Sequence, residues 1–496
     1  MRASQIIKIL KLPRSHSLNA DLEIRGISCN SKDVQKGFVF VAIKGARQDG
    51  NKFIDEALRR GARIIVTEAT PRSLPSVSSR PPSAAKGVLL IQVKDVRLAL
   101  AKLAAQYYRE PSREIKVVGV TGTNGKTTVT YLLEAILKES GYSPAVIGTI
   151  NYRFQGKVLS SRNTTPGPLE LEAMLYNMLK KRIKYCIMEV SSHALDQKRI
   201  NGVNFHSAIF TNLTQDHLDY HKTLENYFRA KRKLFSLLEA PSFAVINNDD
   251  RYAGRIKQAT SAAYITYGIE KHSDVMAEDL KFTSRITEFI LKYRDKRFRI
   301  KSKLLGKHNV YNLLAAVAWS VREGIEIPVV KSALDKFSSV PGRLEKIPFP
   351  GGFSVFVDYA HTEDALENIL KTLRLFSKNK VIVVFGCGGE RDRSKRPKMG
   401  EVVSRLADYA IITNDNPRCE DPEEIIRGIK GGIKRDNFCV IHDRYEAIKK
   451  SLSLACFGDI VLIAGKGHEN YQILRDRTIH FDDRETVARC LKSLNY

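Results

Sequence analysis

The feature that most constrains this chain is Gly122-Thr123-Asn124-Gly125-Lys126-Thr127-Thr128, set between the apolar run 117–120 and a helical pattern that ends at Gly141. A glycine-rich turn leading from a strand into a helix points backbone N–H groups at a single spot, and the helix N-terminus adds partial positive charge there. In such a loop Lys126 neutralises β/γ-phosphate charge and Thr127 offers an oxygen to Mg²⁺. Val120 stands where the strict form has its first glycine, so the loop is a variant of that form. It demands buried strands beside it. The apolar runs 185–190, 207–212 and 243–248 alternate with helical stretches, which predicts a mainly parallel sheet.

With 496 residues, at about 100–200 residues per domain, one core is too few. The pattern divides into three α/β units: 1–113, 114–340 and 341–496. The first has strand-like runs at 38–42, 62–66 and 88–91, a helical stretch at 53–60 and a Pro/Ser-rich surface loop at 70–83. The second, around the phosphate loop, ends in an alternating segment, 286–304, that predicts an antiparallel hairpin turning near Arg294-Asp295. Near Pro341-Gly342 the pattern restarts, with strands expected at 355–357, 381–385, 409–413 and 460–464.

The net charge of +27 suits an anionic partner, but it is scattered over short runs such as Lys231-Arg232-Lys233. No aromatic residues interleave with arginine on a strand face, so no nucleic-acid partner is expected, and a nucleic-acid-dependent ATPase stays a remote alternative. Seven cysteines, an odd number without a C-x-x-C pair, fit a reducing cytoplasm. The basic stretch 1–12 lacks the long apolar core of a signal peptide, and no run of 18 apolar residues predicts a transmembrane segment. These features predict a cytoplasmic protein.

In open α/β sheets ligands bind at the C-terminal ends of strands. Glu189-Val190-Ser191-Ser192-His193 and Asp216-His217-Leu218-Asp219 fall at two such ends and, beside the phosphate loop, read as a Mg²⁺–ATP site; taken singly they are ordinary polar loop residues. Asn163-Thr164-Thr165, Asp358-Tyr359-Ala360-His361 and Gly465-Lys466-Gly467-His468-Glu469 complete a series in the order seen in Mur ligases. From about residue 31 to about residue 483 the chain resembles that family, in its diaminopimelate-adding form.

The resemblance implies a UDP-binding N-terminal domain, a central P-loop ATPase domain and a Rossmann-like C-terminal domain. It implies an ATP-dependent carboxylate–amine ligase of peptidoglycan precursor synthesis, which activates UDP-N-acetylmuramoyl-L-alanyl-D-glutamate as an acyl phosphate and adds meso-diaminopimelate. The alternatives are L-lysine as the amine, or another ligase of the superfamily such as a folylpolyglutamate synthetase. By the same resemblance Gly122, Thr123, Asn124, Gly125, Lys126, Thr127 and Thr128 hold the ATP phosphates, Asn309 and Asn312 lie at the adenine, and Arg343 and Asp358 close over the nucleotide from the third domain, which must rotate onto it. Lys126, Glu189, His217 and Lys231 are the implied catalytic set. Thr127, Glu189, His217 and Lys231, the last as a carbamate, are the implied Mg²⁺ ligands; without the resemblance Lys231 reads as a solvated helix lysine. Ser31, Thr164, Thr165, Ser191, Gln197 and Arg199 match positions for the UDP substrate, although Asn30-Ser31-Lys32 stands where Asp-Ser-Arg is usual. Arg391, Asp415, Asn416, Pro417, Arg418, Gly465 and Glu469 match the diaminopimelate pocket, with Arg418 on the distal carboxylate and Glu469 on the distal ammonium. Other cell-wall enzymes are possible partners.

Overall fold

The structure, a computed structural model, describes residues 1–11, 22–45, 48–69 and 88–494. The surface loop expected at 70–83 lies outside the described residues. Three sheets follow one another along the chain. The first has four parallel strands in chain order, Gly26–Ser28, Phe38–Val41, Ile64–Thr67 and Leu89–Gln92. Side chains alternate across a strand, so Val39 and Val41 pack toward Leu100 and Leu103 of the helix Val96–Tyr107, while Phe40 turns to Ile54 and Ala57 on the other face.

The central sheet has eleven strands, and its middle is parallel. Lys116–Thr121 lies between Tyr185–Glu189 and Phe205–Phe210, with Phe243–Asn247 and Ala263–Gly268 beyond. Helices cover both faces. Val118 and Val120 meet Leu132, Leu133 and Ile136 of the helix Lys126–Glu139, together with Trp319 of Lys307–Glu323. Val117 and Met188 meet Leu171 and Leu175 of Pro168–Lys180. Burial on both faces is why these strands read as unbroken apolar runs. At one edge the hairpin Thr287–Tyr293 and Lys296–Ser302 forms where the alternation predicted it, turning at Arg294 in a left-handed conformation. A third antiparallel member, Val275–Phe282, was not legible, because its exposed face carries mixed polar residues. At the other edge a second unpredicted hairpin joins Asn151–Phe154 to the exposed Lys157–Ser160.

The C-terminal sheet runs Glu345–Ile347, Ser354–Asp358, Ile460–Ala464, Val381–Phe385, Tyr409–Ile412, Phe438–Val440, and all but the first strand are parallel. Asp358, Asp415 and Gly465 therefore emerge at the same end of that sheet. Among the described residues no helix is long and apolar enough to cross a membrane.

Candidate active site

The phosphate loop closes where its glycines allow it. Gly125 sits at φ +87°, and a Cβ there would lie 2.3 Å from Asn312 Oδ1. Lys126 opens the following helix, but its Nζ folds back to donate to the carbonyls of Gly122 (2.9 Å) and Thr123 (2.8 Å). Lys231, on the helix Leu224–Ser236, is 1% exposed and donates to the same Gly122 carbonyl at 2.7 Å, with its Nζ 4.5 Å from the Tyr227 ring centre. Burial, with Lys126 as the next contribution, pushes the Lys231 ammonium well below the ordinary lysine range. A lysine read from spacing as a solvated helix residue is in fact an interior amine.

Glu189, at the end of its strand and 1% exposed, accepts from Thr127 Oγ1 (3.0 Å), Thr149 Oγ1 (2.9 Å) and Thr149 N (2.9 Å). His217 holds φ +56° as the cap before the helical turn Leu218–His221. Its Nε2 is 3.3 Å from Asp216 Oδ2 and its ring centre is 4.9 Å from that of His193. Burial outweighs Asp216 and pulls the His217 pKa down to about 3, so at neutral pH the imidazole carries a free lone pair.

The third domain is already docked on this loop. Arg343 Nη2 donates to Thr127 Oγ1 at 3.1 Å, and Asn124 Nδ2 donates to Asp364 Oδ2 at 2.7 Å. Asp358 spends its carboxylate on the backbone N–H groups of Leu344 (2.5 Å) and Ala360 (2.6 Å), which fixes the turn carrying Arg343. Asn309 and Asn312 lie inside the helix and do not cap it: Asn309 Nδ2 donates to Leu305 O at 2.9 Å, and Asn312 Nδ2 to Asn309 Oδ1 at 3.0 Å. Both line a cavity of about 80 Å³ with Asn124, Gly125, Thr127, Thr128, Arg343 and Asp358.

A larger cavity of about 420 Å³ opens between the central and C-terminal domains. It brings Thr164, Thr165, Ser191, Arg199 and His217 together with Arg391, Asp415, Asn416, Arg418, Gly465 and Glu469. Pro417 does not line it, and neither does Gln197, whose Oε1 accepts from Arg199 Nε (3.0 Å) and Nη2 (2.7 Å) and so orients that guanidinium. Ser31 is not brought there: it lies in the first domain with its hydroxyl on Glu56 Oε2 at 2.7 Å. Within the C-terminal wall, Glu469 Oε2 accepts from Asn416 Nδ2 (2.9 Å) and lies 3.3 Å from the fully buried Lys466 Nζ. The carboxylate expected to meet a ligand ammonium is thus already paired with an internal one. Arg418, at φ +55°, donates from Nη1 to Gly389 O at 2.7 Å.

Several wall residues escaped the sequence reading. Lys395 is 6% exposed, faces the cavity, and its ammonium makes no hydrogen bond or ion pair among the described residues. It sits in Arg391-Asp392-Arg393-Ser394-Lys395-Arg396, a basic run indistinguishable in sequence from a solvated one. Thr149, at a glycine turn, carried no signal at all.

A nucleotide-phosphate loop with a half-buried and a buried amine, facing a charged cavity that a second α/β domain completes, defines an ATP-dependent ligase. Family models match in succession: the Mur ligase family catalytic domain over residues 23–108, the Mur ligase middle domain over 120–320 and the Mur ligase glutamate ligase domain over 342–467. The chain is 47% identical over 476 residues, 96% of each protein, to UDP-N-acetylmuramoyl-L-alanyl-D-glutamate--2,6-diaminopimelate ligase 1 of Clostridium acetobutylicum. It is 42% identical to the ligase of the same name from Clostridium tetani over the full length of both. A solved structure of a UDP-N-acetylmuramoyl-L-alanyl-D-glutamate--2,6-diaminopimelate ligase superposes with TM-score 0.70 at 32% identity, covering all of both chains. The chain belongs to the Mur ligase family.

Proposed function

We propose that the enzyme joins meso-diaminopimelate to the free D-glutamyl carboxylate of UDP-N-acetylmuramoyl-L-alanyl-D-glutamate at the expense of ATP. The observation that carries this reading is the shared cavity, in which Thr164, Thr165 and Arg199 face Arg391, Arg418 and Glu469 beside His217 and Lys395. A carboxylate oxygen attacks the γ-phosphorus as the bond to ADP breaks, giving an acyl phosphate. The amine then attacks the acyl carbon, phosphate leaves with the bonding pair, and the nitrogen gives up a proton to form the amide.

Phosphoryl transfer is mainly positioning and neutralisation of charge. Lys126, held in this structure by two carbonyls, exchanges them for γ-phosphate oxygens. Lys395, unpaired at the cavity wall, neutralises the acyl phosphate from the opposite side. Arg343 brings the C-terminal domain onto Thr127 and helps to exclude water from an intermediate that water would destroy. Among the described residues no cluster of three His, Cys, Asp or Glu side chains forms a protein cage for a metal. Mg²⁺ is commonly held by one or two protein groups plus substrate phosphates, and the Thr127 hydroxyl, Glu189 carboxylate and neutral His217 suit that role. When bound it would supply charge neutralisation at the phosphates.

Lys231 is the carbamylation site in this reading. A buried amine with a depressed pKa is unprotonated often enough to attack CO₂, forming an N–C bond and losing a proton; the resulting carbamate is an anion beside Lys126 where an ammonium would be repelled. The protein works in the cytoplasm, and other cell-wall enzymes are its natural neighbours. Phosphate release and product mass, measured with the UDP-muramoyl dipeptide and meso-diaminopimelate or L-lysine in turn, test the proposal. Dipeptide-dependent release and amide formation with diaminopimelate are expected. A preference for L-lysine at equal concentration would overturn the amine assignment, and release indifferent to the dipeptide would overturn the whole reading.

A further inference from the structure

At the pole of the C-terminal domain opposite the cavity, the loops that precede Ser354–Asp358, Val381–Phe385 and Ile460–Ala464 are knitted together. Gly458 N donates to Gly352 O at 2.7 Å, Asn379 Nδ2 to Phe457 O at 2.7 Å, and Ile460 N to Lys380 O at 2.9 Å. From this platform Phe457 projects 84% exposed, its ring over Gly352, where a Cβ would come within 2.5 Å of it. Leu375 (59%) and Leu454 (37%) stand at the same pole. Three of the exposed large apolar side chains of the described residues thus come from separate stretches of chain to one end of one domain. Leu375 and Leu454 reach this end from helices on opposite faces of the sheet, so the three place apolar surface on either side of the aromatic tip where singly they would be ordinary surface.

The charge around them is predominantly positive, although Asp436, in the loop before Phe438–Val440 at the same end of the sheet, is exposed. Lys346, Lys378, Lys380 and Lys450 are exposed, and none has an ion pair or a side-chain hydrogen bond among the described residues. The one acid within these loops, Asp459, is 3% exposed and accepts from the backbone N–H groups of Lys380 (3.0 Å) and Cys456 (2.8 Å). Nearby Asp408 is paired with Arg374 at 2.8 Å, and Glu367 with Lys371 and Arg405, each at 2.9 Å. An aromatic tip flanked by leucines and ringed by unpaired lysines matches a partner that is anionic at its surface and apolar just beneath. A nucleic acid would satisfy the lysines but leave Leu375 and Leu454 unused.

We infer that this pole docks on an anionic lipid bilayer, with Phe457 entering the headgroup layer and Lys346, Lys378, Lys380 and Lys450 lying along the charged surface. The cavity, at the other end of the sheet, then faces away from the lipid and stays open to soluble substrates. Each lysine held at an anionic leaflet contributes about fivefold in partitioning, and burying most of a phenylalanine about tenfold.

The test is co-sedimentation of the full chain with vesicles of phosphatidylcholine alone or mixed with phosphatidylglycerol, at low and raised salt, for the native protein, Phe457→Ser and the double variant Lys378→Glu, Lys380→Glu. All three substitutions are at exposed side chains, and melting curves verify that the variants fold. Expected are binding to the anionic vesicles only, release by salt, losses of about tenfold for Phe457→Ser and at least about twentyfold for the double variant, and unchanged ligase rates in solution. Absence of binding by the native protein overturns the inference. So does binding that Phe457→Ser leaves intact and that RNA or an acidic peptide competes away, which would mark the pole as a site for polyanions.

Discussion

The phosphate-loop half and the C-terminal half of the site treat charge in different ways. Around the phosphate loop, the half-buried Lys126 and the buried Lys231 donate only to loop carbonyls, both of them reaching Gly122 O. In the C-terminal wall, Lys466 lies 3.3 Å from Glu469 and 3.9 Å from Asp415, and Asn416 adds its amide. One half keeps amines whose charge burial suppresses, which in the proposed reading await the anions of ATP and the carbamate formed from CO₂. The other half balances charge only around Glu469, and leaves Arg391, Lys395 and Arg418 on the same wall without a carboxylate partner among the described residues, a pattern that suits the zwitterion proposed as its ligand. An ammonium buried without an anion is costly and its pKa falls, so such an amine is poised for an anion that would restore its charge.

Three substitutions test that contrast in descending order of effect. Lys126→Ala removes a charge used at the transferring phosphoryl group, and kcat should fall by about a thousandfold or more with the fold intact, read by phosphate release and circular dichroism. Lys231→Ala should cost about a hundredfold or more, with part of the activity restored by short carboxylates but none by bicarbonate. Labelled bicarbonate should give a carbamate NMR signal in the native protein that the variant lacks; full activity in the variant would remove Lys231 from the mechanism. Arg418→Ala acts on the C-terminal half, so its effect should be confined to the amine. Losing a charge-assisted pair in a closed site costs about 2–5 kcal/mol, so KM for meso-diaminopimelate should rise well over tenfold while the KM values for ATP and the dipeptide stay put. L-Lysine, without the distal carboxylate, should be much less affected.

The same contrast explains what the sequence made legible. The phosphate loop is contiguous, and its glycines, lysine and threonine act within a single turn, so a local reading places all of them. The strands beside it are buried on both faces and stand out as apolar runs. The larger cavity is assembled from Thr149, Arg199, His217, Lys395 and Glu469, residues far apart in the chain and joined only by sheet order. Their types carry no periodic signal: position at a strand end pointed to His217, and resemblance to a family supplied Arg199 and Glu469. Lys231 is the clearest case: its helix is amphipathic and rich in Lys and Arg, and only the tertiary fold shows that this one lysine points inward. The Val275–Phe282 strand was missed for a related reason, since half of its surface faces solvent and its alternation is broken at a register shift.

Not every unpartnered buried ionisable group need await a ligand, and Glu172 is the internal control. It lies on the helix Pro168–Lys180 at the seam with the first-domain helix Val96–Tyr107, is 1% exposed, lines neither cavity, and neither of its oxygens has a hydrogen-bond partner among the described residues. Burial, with Glu110 adding to it, pushes its carboxyl up to about 8. The unfolded chain releases this proton at about 4.3, whereas the folded chain keeps it to about 8. Between those limits the native state binds more protons than the unfolded one, so raising the pH costs stability throughout the window, and above it the penalty is complete, on the order of a few kcal/mol. Glu172→Gln cannot ionise. Its melting temperature should match that of the native protein near pH 5 and exceed it by a few degrees at pH 9, with kcat and all three KM values unchanged at neutral pH. A gap that does not widen with pH would show that Glu172 finds a partner in solution, whereas a fall in ligase activity would place this seam within the working site.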